Sequence, residues 1–198
     1  MRFISHFLIS SLFFTATSSL GICSARSIPF APKKPSLTQF NPSSPFQFRM
    51  QVLNTEGKGK GLFTLEPISK KSLIIQMLSD QVMTEEEYHR KEKEGDPITI
   101  RTAIRYAGNL FIYTNQLGRA DEYINHSFTP SMIYFAGMFF AKRDIASGEE
   151  LTVNYKYILA QNDADNFTDT TSGTLVDGAL AETALQDTMA EFLELQRD

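Results

Sequence analysis

The sequence predicts a mainly β fold with short helices, completed by a C-terminal amphipathic helix. Three observations carry this. Short apolar runs rich in Val, Ile, Phe and Tyr recur between residues 46 and 153, with Gly, Pro, Asn and Asp between them. Within that stretch the helix-start signature is Thr84-Glu85-Glu86-Glu87, a capping box. Beyond about Leu175 the apolar spacing becomes helical. Many short strands with one small internal helix read as a domain of small sheets.

The elements follow in order. Arg2 precedes the run Phe7-Leu8-Ile9-Ser10-Ser11-Leu12-Phe13-Phe14, and mostly small residues continue to Ala25. A positive start, a short apolar stretch and a small-residue cleavage site describe a signal or targeting segment over residues 1–25. With such a leader the chain is exported or organelle-targeted; without it, cytoplasmic. Pro29, Pro32, Pro35, Pro42 and Pro45 among serines make residues 26–45 an extended linker. A β domain is expected over residues 46–160. Its strands are expected at Phe46–Leu53, Gly61–Leu65, Ser72–Leu78, Ile98–Ile104, Asn109–Tyr113, Met132–Ala136, Met138–Ala141 and Leu151–Val153. The helix begun at Thr84 should end near Gly95, which can take the left-handed cap. Residues 161–198 form an acidic tail with a helix, whose stripe of Leu180, Ala184, Met189, Phe192 and Leu193 is expected to dock on its own domain.

Composition removes several functions. Cys23 is the single cysteine, so no intrachain disulfide or thiolate metal cluster can form. His6, His89 and His126 are scattered without metal-ligand spacing, and no metal is expected. Past the leader, no stretch approaches the roughly 18 to 20 apolar residues of a membrane span. Residues 161–198 hold nine acids and one base, Arg197, whereas residues 1–160 hold 18 bases and 14 acids, a net +4. That is too weak a basic excess to expect direct nucleic-acid binding.

Three motifs occur in a fixed order. Gly57-Lys58-Gly59-Lys60-Gly61-Leu62-Phe63 places alternate glycines before a strand, which allows tight turning and close approach of backbone to a ligand. It lacks the Gly-Lys-Ser/Thr ending of a phosphate loop. Ile124-Asn125-His126-Ser127-Phe128-Thr129-Pro130 offers amide and imidazole groups on a turn fixed by proline. Asp144-Ile145-Ala146-Ser147-Gly148-Glu149-Glu150-Leu151-Thr152-Val153-Asn154-Tyr155-Lys156-Tyr157 reads as a turn, a short strand and two alternate tyrosines. Each alone is more often a turn or a packed strand than a site.

Together the three resemble the hallmark motifs of the SET-domain family of protein-lysine methyltransferases, over roughly Phe46 to Tyr157. The resemblance implies the family's compact β fold, in which the Asn125 segment passes beside the Tyr155 segment in a knot-like crossing. It implies S-adenosyl-L-methionine as cofactor, with Gly59, Lys60 and Gly61 at its methionine part and Asn125 and His126 at its amino-acid and adenine ends. It implies Tyr155 and Tyr157 as catalytic walls of a lysine channel, Tyr155 also touching the cofactor, with Tyr106 or Tyr113 opposite. The partner implied is a protein with an accessible lysine, histone-like or otherwise basic. The sequence departs from the family at Ser131, where an Asn is usual, at Glu122, where many members have Arg, and at Gln76, where Glu is common. With no cysteine after Tyr157, another C-terminal element must close the channel, and Ile158, Leu159 and Phe167 are available. A catalytically inactive SET-like binding module is the alternative reading.

Overall fold

The computed structural model describes residues 44–197 apart from residues 56, 80, 164, 165, 170 and 171. The expected leader, residues 26–43 of the linker, Cys23 and His6 lie outside the described residues. In chain order the elements are β1 (Met50–Thr55), β2 (Gly59–Thr64), β3 (Leu73–Gln76), β4 (Gln81–Thr84), α1 (Glu85–Lys93), α2 (Pro97–Thr102), β5 (Ile104–Ala107) and β6 (Leu110–Tyr113). They continue with β7 (Asn125–His126), β8 (Met132–Phe135), β9 (Met138–Ala141), β10 (Thr152–Val153), β11 (Phe167–Thr168), β12 (Leu175–Val176) and α3 (Ala181–Arg197). The fold is mainly β with a C-terminal helix, as expected from the SET-like motifs.

The sheets are small. β1 and β2 form an antiparallel hairpin, β3, β9 and β8 a three-stranded sheet, and β4, β6 and β5 another. β7 and β10 pair in parallel, with Thr152 opposite Asn125 and Val153 opposite His126. The two most distinctive motifs therefore lie side by side. Residues 149–151 also bond back to β2: Leu151 N–H donates to Leu62 O (2.7 Å) and Thr64 N–H to Glu149 O (3.1 Å). Leu62, Ile74, Ile75, Met132, Phe139, Leu151, Val153 and Leu159 fill the main core beneath these contacts. A second cluster of Met83, Tyr88, Ala103, Phe111 and Ala160 supports α1 and β6.

The expected helix start holds: Thr84 Oγ1 accepts from Glu87 N–H (3.2 Å), and Gly95 has φ 73° just past the helix end. The expected strand at Ile98–Ile104 is mostly helix instead. Asp96 accepts from Ile98 N–H (3.1 Å) and Thr99 Oγ1 (2.9 Å), and Pro97 occupies the first turn. An aspartate cap followed by proline outweighs the β-branched composition of Ile-Thr-Ile, and the strand begins only at Ile104. The C-terminal helix starts at Ala181 rather than near Leu175, because Leu175 and Val176 pair with β11. Its phase also differs from the expected stripe. Ala184, Thr188 and Leu195 are buried, and Phe192 stacks on Phe135 with ring centroids 4.7 Å apart. Leu180, Met189 and Leu193 stay 58%, 45% and 49% exposed. No described helix is long and apolar enough to cross a membrane.

Candidate functional site

The glycine turn is folded onto β7. Asn125 Nδ2 donates to Lys60 O (3.1 Å) and to Glu150 Oε1 (2.6 Å), and Lys58 Nζ donates to His126 O (3.1 Å). Glu150 also accepts from Thr55 Oγ1 (3.3 Å), so one carboxylate joins β1, β7 and the segment before β10. The roles of the paired acids thus separate. Glu149 faces solvent, where Arg143 bonds it and holds its carboxyl below the usual range. Glu150 faces the turn. Gly61 has no room for a side chain: a Cβ there would lie 2.3 Å from Glu150 Oε1 and 2.5 Å from Thr55 Oγ1. Gly59, at φ 78°, has nothing within 4 Å of that position, so its backbone is open to a ligand.

His126 is 4% exposed and sits among the rings of Phe128, Tyr155 and Phe167, at centroid distances of 4.5, 5.5 and 6.0 Å. Its Nδ1 accepts from Tyr155 N–H (3.1 Å), which assigns the ring proton to Nε2. Burial pushes its pKa down to about 4, outweighing the charge of Asp169, and Lys58 pushes the same way. The neutral ring that the Tyr155 bond requires is therefore the form present near neutrality. Nε2 is buried with no hydrogen-bond partner among the described residues.

Tyr155 is fixed twice on the same segment. Its N–H bonds His126, and its hydroxyl donates to Ile124 O (2.5 Å). With the hydroxyl proton committed to a carbonyl, the oxygen keeps lone pairs for another donor. Tyr155 lines a cleft of about 60 Å³ with Met77, Arg101, Asp121, Glu122 and Ile124. Glu122, at the position where the family resemblance expects Arg, pairs with Arg101 (3.2 Å) and accepts from Arg119 N–H (3.0 Å).

Tyr157 lines a second cleft, also about 60 Å³, with Arg105, Tyr106, Tyr134, Phe135 and α3 residues Ala184, Leu185 and Thr188. Its hydroxyl donates to Glu191 (3.4 Å), and burial, then the charges of Glu191 and Asp187, push its pKa up to about 12. The two alternate tyrosines thus serve two clefts. Of the two tyrosines considered opposite them, Tyr106 is placed beside Tyr157. Tyr113 is not; it packs on the second core cluster and donates to Gln81 Oε1 (3.1 Å). Tyr134 went unnoticed in the sequence. Its hydroxyl donates to Arg105 O and accepts from Gly137 N–H (3.0 Å), and burial raises its pKa strongly. The signal was its place in the alternating strand after Pro130, where Met132 and Tyr134 share a face.

Ser131, a second departure, ties the segment before β8 to β10. Its Oγ accepts from Thr152 N–H (2.9 Å) and donates to Glu150 O (3.3 Å), while its N–H donates to Thr152 Oγ1 (3.1 Å).

Comparison with known proteins agrees with this arrangement. A profile of the SET domain matches residues 59–156. The histone-lysine N-methyltransferase SUV39H1-A of Danio rerio is 28% identical over 137 residues, which are 61% of this chain and 33% of that protein. A histone-lysine N-methyltransferase of Debaryomyces hansenii, H3 lysine-4 specific, is 32% identical over 116 residues, 53% of this chain and 10% of that protein. The histone-lysine N-methyltransferase SETMAR of Rattus norvegicus is 32% identical over 130 residues, 57% of this chain and 41% of that protein. The matched segment therefore spans less than half the length of each of these relatives.

Proposed function

The chain belongs to the SET-domain family through residues 59–156, and from that premise we propose that it is an S-adenosylmethionine-dependent methyltransferase acting on a lysine side chain of a protein. The names of the relatives, all histone-lysine N-methyltransferases, support a basic protein as acceptor. The observation that carries the reading is Tyr155, held by its N–H on His126 and by its hydroxyl on Ile124 O at the wall of a cleft.

The residues present suit the cofactor. An open backbone at Gly59, and a buried Nε2–H on His126 that has no hydrogen-bond partner among the described residues and lies among the rings of Phe128 and Phe167, are features that an aromatic, hydrogen-bonding ligand would use. Gly59, Lys60, Gly61, Asn125, His126 and Tyr155 would hold it, Asn125 acting partly through the turn it braces. When bound, S-adenosylmethionine would supply a sulfonium methyl carbon that a neutral amine can attack in line, with the neutral thioether as the leaving group.

Lysine has a pKa of about 10.4 in water, so it enters mostly charged. Desolvation on entering the cleft at Tyr155, beside a positive sulfonium, would favour the neutral amine. Tyr155 Oη, its proton on Ile124 O, accepts from the amine N–H and points the remaining lone pair along the channel. Tyr157, protonated throughout the physiological range, walls the second cleft. Such alignment can lower a barrier by roughly 7 to 11 kcal/mol in favourable cases.

The test is transfer of a labelled methyl group from S-adenosylmethionine to core histones and to a lysine peptide library, with calorimetric titration of the cofactor. Binding with transfer supports the enzyme. Binding without transfer, or no binding by a folded chain, overturns the enzyme and supports a catalytically inactive SET-like binding module.

A further inference from the structure

We propose that Arg105 is a positioning residue for the transfer: its buried guanidinium holds the C-terminal return whose Ala179 N–H bonds Lys156 O, and so fixes the peptide that carries Tyr155 and Tyr157. The inference rests on the methyltransferase reading above.

Arg105 lies on β5 and is 2% exposed. Its guanidinium reaches four separate segments. Nη1 and Nη2 bond Glu85 of α1 (3.1 and 2.8 Å), and Nη1 also bonds Gly108 O in the turn after β5. Nε and Nη2 donate to Leu159 O (both 3.3 Å), and Nη2 donates to Ala179 O just before α3 (3.2 Å). The Phe111 ring lies 5.0 Å from the guanidinium carbon. The Arg105 main chain continues the joint, its N–H donating to Ile158 O (2.9 Å) and its carbonyl accepting the Tyr134 hydroxyl.

The returning chain is clamped at the same place. A Cβ on Gly178 would lie 2.0 Å from Ala160 O, so backbone crosses backbone there. The next residue, Ala179, donates its N–H to Lys156 O (2.9 Å), between Tyr155 and Tyr157. Arg105 therefore fixes the C-terminal return and the Tyr134 hydroxyl, while the return fixes the peptide that carries both candidate tyrosines. A forked planar cation can do this, whereas an ammonium on the same stem reaches only part of the set. If the joint loosens, the peptide that carries Tyr155 and Tyr157 loses a brace without any change at Gly59, Asn125 or His126.

The experiment compares the full chain with Arg105→Lys and Glu85→Gln, each below its own unfolding temperature. Labelled S-adenosylmethionine is the donor, and core histones with a lysine peptide library are the acceptors. Expected for Arg105→Lys is a fall in turnover of at least tenfold with cofactor affinity within twofold of the parent. Glu85→Gln, whose side chain sits at the rim of the joint, should lower turnover about threefold, and it carries the test alone if Arg105→Lys does not fold. Unchanged turnover in the folded variants would overturn the positioning role. Parallel losses of cofactor affinity and turnover would also overturn it, by marking a general loss of structure. A parent chain that binds cofactor and transfers nothing would remove the enzymatic reading, and this role with it.

Discussion

The β7–β10 crossing and the α3 helix are held in contrasting ways. At the crossing a few short segments meet through buried or half-buried polar bonds: Asn125 to Glu150 and Lys60 O, His126 to Tyr155 N–H, and Ser131 to Thr152. Each group has one geometry that satisfies it, and leaving one unmade costs about 1–3 kcal/mol. On α3 the contact is an apolar face, centred on Phe192 stacked against Phe135, with half-exposed ion pairs such as Lys156–Asp187 (2.9 Å) around it. Such pairs contribute roughly 0.2–1 kcal/mol each. A site that must align reacting atoms belongs where alternatives are excluded. A wall that closes over it can rest on contacts that slide.

The largest effect should come where α3 is tied to the crossing. Gly178→Ala places a Cβ against the backbone of Ala160, which cannot move as a flexible side chain would. A loss of more than about 3 kcal/mol in chemical denaturation is expected; a loss below about 1 kcal/mol would mean that the return is loosely held and would break the comparison.

Gly61→Ala meets side-chain atoms instead, Glu150 Oε1 and Thr55 Oγ1. The expected stability loss is about 1–3 kcal/mol, with a weakening of cofactor binding that titration calorimetry would read. Asn125→Ala should act on the same turn, removing the amide that bridges Glu150 Oε1 and Lys60 O, at about 1–3 kcal/mol in cofactor affinity. Normal binding by Asn125→Ala would show that the turn does not need its brace.

The crossing should also show a pH dependence that α3 lacks. His126 titrates near 6.5 when unfolded and near 4 when folded. Between those values the unfolded chain binds the extra proton, so stability from this group is full above about pH 6.5 and is lost as pH falls toward 4. The difference is on the order of 3 kcal/mol. The slope of unfolding free energy between pH 4 and 6.5 should therefore flatten in His126→Gln; an unchanged slope would place the titration elsewhere. The smallest effect is expected at Asp187→Asn, under about 1 kcal/mol and weaker still in high salt.

The same contrast governs what the sequence reveals. The crossing is legible because its motifs are short, local in chemistry and dense: Asn125-His126-Ser127 and Tyr155 stand where the structure brings them together. Helix α1 is legible from Thr84 and Glu87, since a cap is a contact four residues long. The rest depends on distant partners. Asp96 and Pro97 were the cue for α2, but Ile98 to Ile104 read more strongly as a strand. Leu175 and Val176 look helical until residues 167 and 168 are placed beside them. Arg105, just past the expected strand end at Ile104, has no local sequence mark of its burial. Its burial follows only from Glu85, Leu159 and Ala179, up to 74 residues away. Tyr134 was passed over because its hydroxyl partners, Arg105 O and Gly137 N–H, are backbone groups that leave no mark in a sequence.

The central claim is that Tyr155 orients the accepting amine, and Tyr155→Phe tests it most directly. The change keeps the ring against His126 and Phe167 and removes one hydroxyl. The measurement is single-turnover methyl transfer to core histones, beside the cofactor dissociation constant and the unfolding midpoint. The account predicts turnover reduced at least a hundredfold, with cofactor affinity changed by less than about threefold, the pattern of an interaction made mainly in the transition state. Turnover within a few-fold of the parent, or a sharp loss in Tyr157→Phe but not in Tyr155→Phe, would contradict it.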